Sequence, residues 1–191
     1  MSALIASRLG GDHAGGLSFL ILDGQFSRRS APLQVAGPPG IRTRLAEAME
    51  VLFPGSSGAR RRFPVEVTEL RTDGTAAGLG AATVRGWEVE HACGAPLALR
   101  VELGGTSFAY SGDTQWTPAL ARAAHGADLF AVEAYTFDRP VRYHLDYQTL
   151  RAHLGEIGAR RIVLTHMSAA MLTRLADADL PAAYDGMTAD L

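Results

Sequence analysis

The stretch RLGGDHAGGL at residues 8–17 interrupts two regular segments, and its reading decides how the rest of the chain is understood. Before it, the apolar run Ala3 to Ala6 has the composition of a short buried strand. The glycines then open a loop, in which Asp12 and His13 set a carboxylate and an imidazole side by side just past the strand end. After it, Leu17 to Phe26 has helical spacing. LQVAG at 33–37 suits a strand, and PPG at 38–40 turns the chain into IRTRLAEAMEVLF, an amphipathic helix over 41–53.

Working outward, PGSSGARRR at 54–62 is a loop with a small basic cluster. FPVEVTEL at 63–70 is a strand, and TDGTAAGLGAA at 72–82 reads as a glycine- and alanine-rich connection. ATVRGWEVEH at 82–91, LALRVEL at 97–103 and TSFAYSGD at 106–113 are strand candidates, with Gly104-Gly105 placed as a hairpin turn. Helices and strands then alternate: helix 117–124, strand 128–134, helix near 146–157, strand 161–166, helix near 169–176 and a final strand GMTADL at 186–191. This is an α/β layout with mixed sheets. No repeat, low-complexity tract or linker divides it, so a single domain over 1–191 is expected.

Composition narrows the function classes. The 191 residues are 47% hydrophobic, enough for a sizeable core, and a formal net charge of −2 gives no global basic field that would gather nucleic acid by charge alone. A lone cysteine, Cys93, cannot form an internal disulfide, and no stretch reaches the length of a membrane-spanning helix. With no signal-peptide pattern at the start, a cytoplasmic location and no membrane partner are expected.

Five side chains of metal-binding type fall at strand ends or just beyond them: Asp12, His13, His91, Asp113 and His166. Taken singly, each is more often a capped, solvated or turn-forming residue than a ligand. Together they supply imidazole and carboxylate, the donors that suit zinc or the harder manganese ion, at one edge of a layered sheet where sites are usually built.

The sequence around these positions resembles the metallo-β-lactamase superfamily, and within it the ribonuclease Z-like group. RLGGDHAGGL resembles that group's HxHxDH loop, and PLQVAGPPGI at 32–41 the strand and turn that follow. YSGDT at 110–114 is similar to the segment with the bridging aspartate, and VLTHMS at 163–168 to the one with the last histidine ligand. The resemblance implies an αββα sandwich of mixed sheets, here lacking the first strands, with an exposed strand edge that favours a homodimer. It implies that Asp12, His13, Asp113 and His166 hold one metal ion, with Asp113 able to bridge to a second position that His91 would serve. It also implies catalytic roles for Asp12 and for His144 in YHLDY, the latter as the acid that protonates a leaving alkoxide.

Two departures from the family pattern carry weight. Arg8 and Gly10 stand where the motif has its first two histidines, and neither donates a lone pair to a metal. One ion is therefore expected rather than two, zinc first, with manganese or iron as alternatives. The leading expectation is a weakened metal-dependent hydrolase of ribonuclease Z-like type, a phosphodiesterase acting on a small-molecule or nucleic-acid phosphodiester. A non-catalytic binding descendant is the alternative, in which Arg8 forms a bidentate pair with Asp113. A mono-iron redox variant is the third reading. The arm with which ribonuclease Z grips tRNA is not evident in the sequence.

Overall fold

The structure, a computed structural model, describes residues 2–92 and 94–191; Cys93 lies outside the described residues. Its first strand, β1 (Ala3–Ile5), pairs in parallel with β2 (Leu33–Gly37), and β2 in parallel with β3 (Val65–Glu69). Three helices link these strands: α1 (Gly11–Ala14), α2 (Gly16–Phe26) and α3 (Ile41–Leu52). Ala14, Leu17 and Ile21 from α1 and α2 pack with Ile41, Leu45 and Met49 of α3 against Leu33 and Val35 of β2. The 8–17 stretch is thus not all loop, since Asp12 and His13 sit in a single helical turn.

The second sheet runs in the order β4 (Ala77–Leu79), β5 (Ala82–Glu88), β6 (Leu97–Leu103), β7 (Thr106–Tyr110), β8 (Leu129–Glu133) and β9 (Ile162–Thr165). The first four strands are antiparallel neighbours, and β7, β8 and β9 are parallel. Along β6, Leu97 and Leu99 face a core shared with Ala36 of the first sheet, while Ala98 faces a core shared with α4 (Pro118–Ala124) and α5 (Tyr147–Ala152). That period-two alternation makes the layers helix, sheet, sheet, helix.

Three sequence expectations change. The 72–82 connection contains strand β4, because Ala77 to Leu79 find β5 as an antiparallel partner although their composition is weak for a strand. GMTADL forms no strand; the partner of β9 there is Ala182, which makes a parallel bridge to Leu164. The helix expected over 169–176 is the short α6 (Ala169–Leu172) followed by a 3₁₀ turn at Leu175–Asp177.

The topology positions a site. Since β5, β7, β8 and β9 all point the same way, the residues following their last positions converge on one edge of the sheet, as in other open α/β sheets. In the first sheet, β1 pairs only with β2 among the described residues. Beside it lies an apolar trough of about 490 Å³ lined by Leu4, Ile5, Leu99, Val101 and Phe108. An unpaired edge next to uncovered apolar surface is expected to drive self-association, read as a concentration-dependent mass in size exclusion with light scattering. A monomer at every concentration tested would contradict it.

Candidate metal centre

Gly10 has extended backbone (φ −62°, ψ 149°) and starts α1, whose amides from His13 and Ala14 bond back to its carbonyl. This turn presents Asp12 and His13 to the sheet edge. Asp113 follows β7 in a buried loop fixed by Gly112, which lies at φ +63° and 2.9 Å from the Leu97 carbonyl at the position a Cβ would take. No other residue fits there without displacing backbone. His91 follows β5 and precedes β6; its loop is tied to the Asp113 loop by the Glu90 amide, which donates to Thr114 Oγ1 at 3.0 Å. His166 ends β9 in left-handed conformation (φ 50°), and Tyr143, next to His144, is left-handed as well (φ 71°). Such backbone in non-glycine residues costs about 1–3 kcal/mol and collects at functional sites.

Asp113 is the hub. Its Oδ2 lies 3.3 Å from His13 Nε2, 3.6 Å from His166 Nε2 and 2.8 Å from Arg8 Nη2, and His13 Nε2 lies 3.7 Å from Asp12 Oδ2. Neither buried Asp113 oxygen accepts an aligned hydrogen bond. Both histidines facing it have their other ring nitrogen held: Ser7 Oγ is 3.2 Å from His13 Nδ1, and Glu133 Oε1 is 2.8 Å from His166 Nδ1. An Nε2 aimed at a shared point with Nδ1 fixed from behind is how ligating histidines are oriented. Donor bonds of about 2.0–2.2 Å in a tetrahedron place the donors roughly 3.3–3.6 Å apart, close to the separations around Asp113. Asp12, His13 and Asp113 bring donor atoms within 4.8 Å of one another, as a shared cation requires, while His166 approaches Asp113 from a neighbouring group that it forms with Glu133 and His144.

The second position is different. Arg8, 5% exposed, reaches into it with Nη1 at 2.5 and 3.0 Å from the His91 ring nitrogens and Nη2 against both Asp12 and Asp113. The expected bidentate pair with Asp113 is not formed, because one Nη spans the two carboxylates. His91 groups with Asp113 and His144 as potential ligands, and the Arg8 guanidinium, which only donates, lies against His91 and Asp113.

Glu133 went unnoticed in the sequence. Fully buried at the end of β8, it is set beside His166 by the parallel register that pairs Glu133 with Thr165. Its carboxylate accepts from the Thr114 amide (2.8 Å), the Leu145 amide (3.2 Å), His166 Nδ1 and His144 Nδ1 (2.5 Å). A charged residue closing the apolar run LFAV was the available signal, since Glu is rarely buried without partners. Ser7 carried no signal of its own. Tyr135 stacks on the His144 ring at 4.4 Å and on the His166 ring at 5.5 Å, fixing both planes.

The charges shift one another. Burial alone would raise the Asp113 carboxyl, but the close approach of His13 together with the charges of His166 and Arg8 outweighs it, and the net shift is downward. The Glu133 hydrogen bond raises His166 above the ordinary histidine value against the opposing effect of burial. His91 is lowered by burial and then by the Arg8 charge. Tyr110, partly buried and near the charges of Asp113 and Glu133, is pushed up to about 12.

Comparison with known proteins places the chain as a whole. A ribonuclease Z from Mycobacterium marinum is 29% identical over 195 residues, covering 90% of this chain and 69% of that protein. In structure, the metallo-β-lactamase fold protein YhfI from Bacillus subtilis is similar with a TM-score of 0.71 at 16% identity, over 98% of this chain and 77% of that one. The short form of human tRNase Z is similar with a TM-score of 0.70 at 20% identity, over 88% and 73%. With residues 1–167 matching the sequence model of the beta-lactamase superfamily domain, the chain belongs to that family and has the metallo-β-lactamase fold.

Proposed function

We propose that the chain is a metal-dependent hydrolase that cleaves a phosphodiester, of a small molecule or of RNA, with one divalent cation held by Asp12, His13, Asp113 and His166. The observation that carries this reading is the set of donor separations around Asp113, with both histidines braced from behind. An ion held there supplies Lewis acidity toward a phosphoryl oxygen. Zinc suits the nitrogen and oxygen donors best. His144 is the proton donor: Glu133 keeps its Nδ1–H, and in the imidazolium form the second proton, on Nε2, passes to the leaving oxygen. A cleft of about 500 Å³ lined by Glu90, Gln115, Trp116, Arg142 and His144 leaves room for the leaving group on that side. The test is hydrolysis of bis(p-nitrophenyl) phosphate by protein of measured zinc content; a protein that binds zinc and gives no turnover would reject it.

That outcome belongs to a second reading, a binding module of the same family, which the Arg8 contacts with Asp12 and Asp113 favour. In it the carboxylates are neutralised from within and no nucleophile is generated.

Zinc binding requires neutral His13 and His166. Because His166 is raised, protons compete with zinc up to a higher pH than for an ordinary histidine, and affinity is expected to climb as pH rises through that raised value. In metal-free protein the sign is reversed: protonated His166 stabilises the fold below the ordinary histidine value, and this is lost as pH rises through the raised one. Zinc titrations between about pH 6 and 8.5 read the first effect, and a flat affinity would exclude the histidines as ligands.

A further inference from the structure

The buried end of the cluster holds more negative charge than one would expect to survive without metal. Asp113 and Glu133 are buried, Asp12 lies at the rim with its side chain two-thirds exposed, and among the described residues Arg8 is the guanidinium that contacts Asp12 and Asp113. With the histidines neutral, three carboxylates and one guanidinium leave two negative charges, which a single divalent cation balances and two would overshoot. Arg8 is also placed as an ion would be. Its side chain is 6% exposed, its Nε is buried without a partner, and its two terminal nitrogens touch His91, Asp12 and Asp113, residues of three separate segments. A guanidinium only donates, stays charged at any usable pH and can span several acceptors, which an ammonium does less well.

We propose that Arg8 is a built-in cation occupying the second metal position, so that the chain is a one-metal protein whose ligand loops are held together before metal arrives. The part concerning the single remaining ion rests on the hydrolase reading. The part concerning Arg8 as counter-charge does not. Arg8 is then a positioning residue: it holds Asp12, Asp113 and His91 and takes no part in the reaction.

The experiment uses the full chain as wild type, Arg8→Met and Arg8→Met with Asp113→Asn, each melted in chelator and in excess zinc chloride, with bound zinc counted by elemental analysis. Wild type should bind a single equivalent. In chelator Arg8→Met should melt about 10 °C lower, because a buried carboxylate has lost its counter-charge, and excess zinc should restore most of the difference. The double variant should recover in chelator, since both charges are gone. If Arg8→Met does not fold in chelator, a folded double variant supports the proposal and an unfolded one overturns it, showing that Arg8 matters for packing. Equal melting of wild type and Arg8→Met in chelator, or two equivalents of zinc in wild type, also overturns it. Wild type that binds no zinc but shows the same melting pattern supports the counter-charge role and rejects the hydrolase reading.

Discussion

Replacing Arg8 and Gly10 together by histidine is expected to add one further metal ion to the chain and to raise bis(p-nitrophenyl) phosphate turnover by roughly 10²-fold, the equivalent of a few kcal/mol of transition-state stabilisation. The exchange removes the guanidinium that fills the second position and supplies two imidazoles beside His91 and Asp113. The backbone accepts it. Gly10 lies at φ −62°, where any residue is comfortable, so the strain that a left-handed glycine would impose does not arise. A Cβ there would meet Asp12 Oδ1 at 2.7 Å, so the end of this two-thirds exposed side chain must shift slightly while Oδ2 stays toward the first ion. Arg8→His alone should have a smaller effect, since it adds one ligand. Without metal, either change leaves Asp113 poorly compensated, and stability should fall until zinc or manganese is supplied. A folded double variant with unchanged metal content and unchanged turnover would show that these two positions do not control the second ion.

Glu133→Gln is expected to lower turnover by about 10²- to 10³-fold while the chain stays folded. The carboxylate receives four donors, and an amide of the same shape keeps one acceptor oxygen and turns an NH₂ toward groups that are themselves donors. His144 then loses the partner that fixes its tautomer, and His166 loses the bond that orients Nε2 toward Asp113. A stability loss of about 1–3 kcal/mol should follow from the unmatched buried donors. The raised proton affinity of His166 should also return toward the ordinary value, because the Glu133 hydrogen bond is its largest cause. Zinc affinity measured against pH separates this from simple misfolding: the inflection should move down in pH relative to wild type. Turnover within twofold of wild type would remove Glu133 from the site.

Family relationship and the order of the candidate ligands were legible in the linear chain because both are local. Asp12, His13, Asp113 and His166 each sit within a few residues of a strand end or turn signal, and strand ends can be read from apolar runs and glycines. The patterns gave an α/β layout with mixed sheets, and the αββα layering came from the family resemblance. Strand β4 and the absence of a strand at 186–191 were not legible, because pairing depends on which neighbour is available and these segments carry little preference of their own.

The sequence by itself determined which groups could hold a metal and which two positions could not. It also showed that Arg8 brings a fixed positive charge to the motif. Only the tertiary structure decided where that charge goes, with one Nη across Asp12 and Asp113 and the other on His91, 83 positions away. It likewise decided that Glu133 backs two histidines at once, through a parallel register between β8 and β9 that no short window contains. The physical reason is common to both. Chemical type belongs to a residue, but hydrogen-bond partnership and the cost of burying a charge belong to an environment assembled from distant segments, and that environment exists only once the sheet has formed.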